Sequence, residues 1–125
     1  MISGIGIDMI EVERVATKIG KESGFRELVF STKEIAYCES KAKKFEHYAA
    51  RFAAKEAFLK ALGTGWKNGT VFNEIEITGD DIGKPELVLL GETAKSVAEM
   101  GTIRISVSLS HLKTIASAVV VIESN

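Results

Sequence analysis

The chain has 125 residues, 46% of them hydrophobic and 26% charged, with one proline and a formal net charge of -1. Length and balance together point to a single soluble domain over 1–125, and they exclude linkers, disordered tracts and a broad nucleic-acid-binding face. The apolar run at the amino end meets Asp8 too soon, and with no basic flank, to be a signal peptide or membrane span, so cytoplasmic residence with no membrane partner is expected.

Residues 2–9 read as a strand in which Gly4, Gly6 and Asp8 share one face, opposite Ile5, Ile7 and Met9. Glycines beside an acid leave room for a ligand. From about 11 to 21, Val12, Val15, Ala16 and Ile19 recur at helical spacing, and Arg14, Lys18 and Lys21 form a basic stripe on another side. That stripe is either a solvated face paired with Glu11, Glu13 and Glu22 or a dock for an acidic partner. Gly24 precedes a short helical piece through Phe25, Leu28 and Val29. Ser31-Thr32-Lys33-Glu34 is a capping-box pattern, from which a helix runs towards Lys43. The lone cysteine, Cys38, shares helical spacing with Ile35, Ala42 and Phe45 and reads as a small core residue.

A long helix follows over roughly 45–62. Phe45, Tyr48, Ala49, Phe52, Ala53 and Leu59 fall on one side of it, with Glu56 near the centre of that arc. Burying an unpaired carboxylate costs on the order of several kcal/mol, so Glu56 needs a cation, either a basic side chain or a metal ion. Gly63-Thr64-Gly65 ends the helix as a glycine C-cap. It is not a Walker loop, because it leaves a helix carboxyl terminus, whose dipole repels anions.

The period then becomes alternating. Residues 71–78, 85–90, 103–109 and 115–122 read as strands, with a short helix near 92–100 and a hairpin turn at 110–114. The class is α+β: one small antiparallel sheet, joined by the first strand, packed on helices. In the strand over 103–109, Arg104, Ser106, Ser108 and Ser110 form a polar face suited to a cleft or an interface.

Asp8 and Glu56 together suit a hard divalent cation such as Mg2+, which is held by one or two carboxylates and completes its shell with water and phosphate oxygens. His47 and His111 lie apart and lack cysteine neighbours, so zinc-like spacing is absent. Lys60 either pairs with Glu56 at i,i+4 or reaches a phosphate. His111, at the hairpin turn, is a phosphate or base contact or is merely solvated.

Gly6-Ile7-Asp8, the block Arg51 to Lys60 with Gly63-Thr64-Gly65 after it, Gly83-Lys84-Pro85 and Ser108-Leu109-Ser110-His111 occur in order along the chain. In these blocks it closely resembles the holo-acyl-carrier-protein synthases, small bacterial 4'-phosphopantetheinyl transferases. The resemblance implies the 4'-phosphopantetheinyl transferase fold and magnesium-dependent transfer of phosphopantetheine from coenzyme A to a serine of apo-acyl carrier protein, releasing adenosine 3',5'-bisphosphate. By that resemblance Asp8 and Glu56 would be the metal ligands, Lys60 a cation and proton donor at the pyrophosphate, and Arg51 and His111 contacts to coenzyme A phosphates. Gly63, Thr64 and Pro85 would shape the nucleotide pocket. Asp8, directly or through a bound water, is the first candidate for the base that deprotonates the serine, and Glu56 the second.

The resemblance further implies a homotrimer with sites between subunits, a place in fatty-acid synthesis, and Arg14, Lys18, Lys21 and Phe25 as the dock for an acidic carrier. Competing expectations are a coenzyme A or nucleotide-binding module without transfer, a hydrolase of the coenzyme A pyrophosphate, and a trimeric protein with a vestigial site.

Overall fold

The computed structural model describes residues 1–63, 71–79 and 83–125. Its elements are β1 (Ile2–Glu11), α1 (Val12–Gly20), α2 (Phe25–Val29), α3 (Thr32–Glu39), α4 (Lys44–Leu62), β2 (Ile75–Gly79), β3 (Pro85–Leu89), α5 (Gly91–Glu99), β4 (Thr102–His111) and β5 (Ile115–Ser124). The expected α+β class holds, with one refinement to the sheet. β1, β5 and β4 form an antiparallel three-stranded sheet in that order, whereas β2 and β3 pair separately. The alternation over 71–78 is strand only from Ile75, because Phe72–Glu74 form a 3-10 turn whose Phe72 is buried.

α4 is the centre of the molecule. It packs on β1 and β5 and is buried nearly all round, from Tyr48 to Ala61, rather than along a single stripe. Gly4 and Gly6 explain how close it lies. A Cβ on Gly6 would overlap the Ala57 carbonyl oxygen, and one on Gly4 that of Ala61. The two glycines therefore admit the backbone of α4, not a ligand as the sequence suggested.

The capping box is complete: Ser31 Oγ accepts from the Glu34 amide and Glu34 Oε1 accepts from the Ser31 amide. α3 stops at Glu39, short of Lys43. The same Glu34, fully buried, accepts from Lys55 Nζ at 2.7 Å and from the Ile77 amide at 3.0 Å. Lys55 Nζ also donates to the Phe72 carbonyl at 2.9 Å and to that of Ile75, so all three ammonium protons are matched. One buried pair thus ties α3, α4 and the start of β2 together. Burial pushes the Lys55 ammonium down, and Glu34 opposes the shift.

The outward face of the sheet is apolar along β1, where Ile5, Ile7 and Met9 are 64%, 64% and 67% exposed. Val121 and Val119 lie opposite Ile5 and Ile7, and Ser106 and Ser108 opposite those valines in turn. The serine face of β4 therefore continues an apolar surface. Among the described residues no helix is long and apolar enough to cross a membrane.

Candidate functional site

The packing of β1 on α4 brings Asp8 and Glu56 into one electrostatic neighbourhood across 48 positions of sequence. Lys60 Nζ donates to Asp8 Oδ1 at 3.0 Å and to the Ile7 carbonyl at 3.1 Å. The i,i+4 pair of Lys60 with Glu56 does not form, because the strand carboxylate and carbonyl together offer the ammonium a better seat. Among the described residues Glu56 has no ion pair. Burial pushes its carboxyl above the ordinary range and the Asp8 charge adds to that, while Lys60 and Lys18 oppose it.

A half-buried, unpaired carboxylate beside a second one is a place for a cation. Among the described residues no three or more His, Cys, Asp or Glu gather to hold a metal ion. Two carboxylate groups with water and phosphate oxygens fit magnesium, which keeps part of its shell outside the protein.

Glu56 lines a largely apolar cavity of about 470 Å3 with Lys18, Phe25 and Phe52. Lys18 Nζ lies 5.5 Å from the Phe25 ring centroid and 5.9 Å from that of Phe52. Phe25, Phe52 and Phe72 are in ring contact in sequence, at 5.9 and 5.7 Å. Two of the four residues expected to dock a carrier thus form the wall around the expected metal carboxylate. Arg14 and Lys21 are exposed on the same helix or at its end, and among the described residues none of the three basic groups is in an ion pair. The alternative of pairing with Glu11, Glu13 and Glu22 is not realised. Phe52 was read from sequence only as core; its place next to Lys18 needed the packing of α1 on α4.

Arg51, Pro85 and His111 line a second cavity, of about 360 Å3, with Tyr37 and His47. Arg51 is only 6% exposed, and among the described residues its buried Nε has no hydrogen-bond partner. The guanidinium lies 4.2 Å from the Tyr37 ring centroid. His111 Nδ1 is 2.9 Å from Glu46 Oε1. Among the described residues the two cavities share no lining residue, as expected for side chains at positions 51 and 56, which point roughly 140° apart around a helix. Gly63 caps α4 with a φ of 78°, on the Lys60 side. Thr64 lies outside the described residues. The structure therefore divides the expected site residues in two: Asp8, Glu56 and Lys60 in one group, Arg51, Pro85 and His111 in the other.

The profile of the 4'-phosphopantetheinyl transferase superfamily matches residues 4–117. A holo-[acyl-carrier-protein] synthase of Cytophaga hutchinsonii is 50% identical over 127 residues, covering 100% of both chains. The crystal structure of the Neisseria meningitidis holo-[acyl-carrier-protein] synthase superposes with a TM-score of 0.89 at 36% identity, covering 99% of this chain and 100% of that one. The Bacillus anthracis holo-(acyl-carrier-protein) synthase, solved in complex with CoA (3',5'-ADP), does so with a TM-score of 0.81 at 38% identity, covering 100% and 99%.

Proposed function

The chain belongs to the holo-[acyl-carrier-protein] synthases of the 4'-phosphopantetheinyl transferase superfamily, and we propose that it transfers the phosphopantetheine arm of coenzyme A to a serine of apo-acyl carrier protein. The observation that carries this is the shared cavity of Lys18, Phe25 and Glu56. A carrier bound at the first two delivers its serine beside the third.

Asp8 and Glu56 would hold Mg2+, which would supply charge neutralisation for the coenzyme A pyrophosphate. The serine Oγ bonds to the phosphorus that carries the pantetheine as the bond from that phosphorus to the adenosine phosphate oxygen breaks. The electron pair leaves with adenosine 3',5'-bisphosphate, and Lys60 Nζ donates to the leaving oxygen. A carboxylate takes the serine proton. Asp8, directly or through a bound water, or Glu56 is the group placed to take it. Arg51 and His111 hold coenzyme A phosphates, and Pro85, Gly63 and Thr64 shape the nucleotide pocket. Positioning and charge supply most of the catalysis in such transfers.

The protein acts as a homotrimer, and the nucleotide half of each site comes from a neighbouring subunit. Support comes from the division of the site residues between two cavities on one chain and from the exposed apolar face of β1, a surface that soluble proteins seldom leave uncovered. Arg14, Lys18, Lys21 and Phe25 dock the acidic carrier, with Phe52 beneath them. The single domain of 1–125 works in the cytoplasm, on the carrier of fatty-acid synthesis.

Intact-mass spectrometry of an apo-carrier incubated with the protein, coenzyme A and magnesium tests this. One phosphopantetheine is gained, the gain is lost with a chelator, and Asp8→Asn or Glu56→Gln cuts turnover at least about a hundredfold. Bound coenzyme A without any mass gain across several carriers overturns the transferase assignment. Full turnover in either variant overturns the metal assignment.

A further inference from the structure

The Arg51 cavity holds more latent positive charge than the contacts so far assigned to it use. Arg51 brings a buried guanidinium whose Nε has no partner among the described residues. His47, one helical turn before it on α4, faces the same space. The His47 ring meets the edge of Tyr37 from α3, with centroids 5.6 Å apart, and that of His111 from β4, at 5.3 Å. Two imidazoles and a guanidinium thus surround one cavity, and Glu46, the carboxylate that meets them among the described residues, is engaged with His111 Nδ1.

We propose that His47 is the proton-linked member of a phosphate-monoester site in this cavity, taking up one proton from solvent as a phosphate dianion enters between it, Arg51 and His111. This rests on the coenzyme A assignment and deepens it. The dianion is the 3'-phosphate, the only monoester in coenzyme A, whereas the pyrophosphate, with one charge per phosphorus, goes to Asp8, Glu56 and Lys60.

Burial, and then the charges of His111, Arg51 and Lys41, hold the His47 imidazole below the ordinary range, and among the described residues Glu46 opposes them. Among the described residues Tyr37 from α3 is the other titratable group whose ring meets the imidazole. A dianion reverses the local field, so the protonated ring becomes the favoured form and binding draws a proton from solvent. Above about pH 7 a phosphate monoester is already a dianion, so the proton is not its own.

Calorimetric titration of the intact protein with coenzyme A, in pairs of buffers differing in ionisation heat, counts this proton. Wild type takes up a large fraction of one proton near pH 7.5, and its affinity falls roughly tenfold from pH 7 to pH 8.5, since one linked proton can contribute at most tenfold per pH unit. With 3'-dephospho-coenzyme A the uptake vanishes. His47→Gln, which cannot be charged, and His47→Arg, which always is, both lose the uptake and the pH dependence, while His111→Gln keeps the uptake. Coenzyme A binding with no proton uptake by wild type, or uptake that survives in both His47 variants, overturns the assignment of His47 alone. Failure of wild type to bind coenzyme A at any pH overturns the coenzyme A assignment and this one with it.

Discussion

Lys55 and Glu34 meet at 2.7 Å with both side chains wholly removed from solvent. Removing one partner strands the other charge, which costs about 3–5 kcal/mol. Lys55→Met and Glu34→Gln are each expected to lower stability by that order, and the double variant by less than their sum. Urea unfolding at one fixed protein concentration reads the cycle. Simple additivity of the two losses would show that the pair is not the unit holding α3, α4 and β2 together.

Gly6 and Gly20 offer a contrast between two glycines. At Gly6 a Cβ overlaps the Ala57 carbonyl, whereas at Gly20 nothing lies within 4 Å. Gly6→Ala should cost about 1–3 kcal/mol or more through overpacking and, by lifting β1 off α4, separate Asp8 from Lys60. Gly20→Ala should change stability by less than about 1 kcal/mol. Thermal melts and turnover on the same samples check both, and an unaffected Gly6→Ala would refute the close approach.

The unpaired charges at Arg14 and Lys21 predict a carrier interaction sensitive to salt. Arg14→Glu with Lys21→Glu should raise KM for the carrier at least about tenfold at low ionic strength and less at 0.5 M salt, with kcat falling less than KM rises. Steady-state kinetics at two salt concentrations measure this. A loss confined to kcat would place these residues outside the dock.

Cys38 is fully buried, and burial pushes its thiol up to about 12 from an ordinary 9.0. It should be inert to thiol reagents until the protein unfolds. Its contribution to stability is complete below pH 9.0 and is lost as pH climbs from 9.0 towards about 12, because the unfolded thiol ionises first and then binds fewer protons than the folded one. The slope is at most about 1.4 kcal/mol per pH unit. Cys38→Ala should flatten alkaline unfolding relative to wild type, and identical alkaline profiles would contradict the shift. Tyr48, whose phenol burial also pushes up, titrates in both proteins and cancels.

Local chemistry made much of this fold legible in sequence. The Ser31–Glu34 box, the glycine cap of α4 and the β4–β5 hairpin depend on neighbours within a few residues, and each is found where spacing puts it. What depended on distant partners was not legible. Lys55 looked like a flank of Glu56 until Glu34 and the carbonyls of Phe72 and Ile75 were seen around it. Gly4 and Gly6 advertise small size, but only the crossing of α4 says what the space is for. Asp8 and Glu56 could be paired by charge and pattern, whereas the transfer of Lys60 from its own helix to β1 follows from the strand carbonyl that no pattern displays.

The separate walls of the two cavities carry a genetic consequence. A lesion at Glu56 leaves the Arg51 cavity whole, and a lesion at Arg51 spares the Glu56 cavity. In the proposed trimer, two inactive alleles expressed together would rescue one another, with about a quarter of the sites in randomly mixed trimers drawing a sound half from each parent. Each allele alone would be inactive, and the two together would not be.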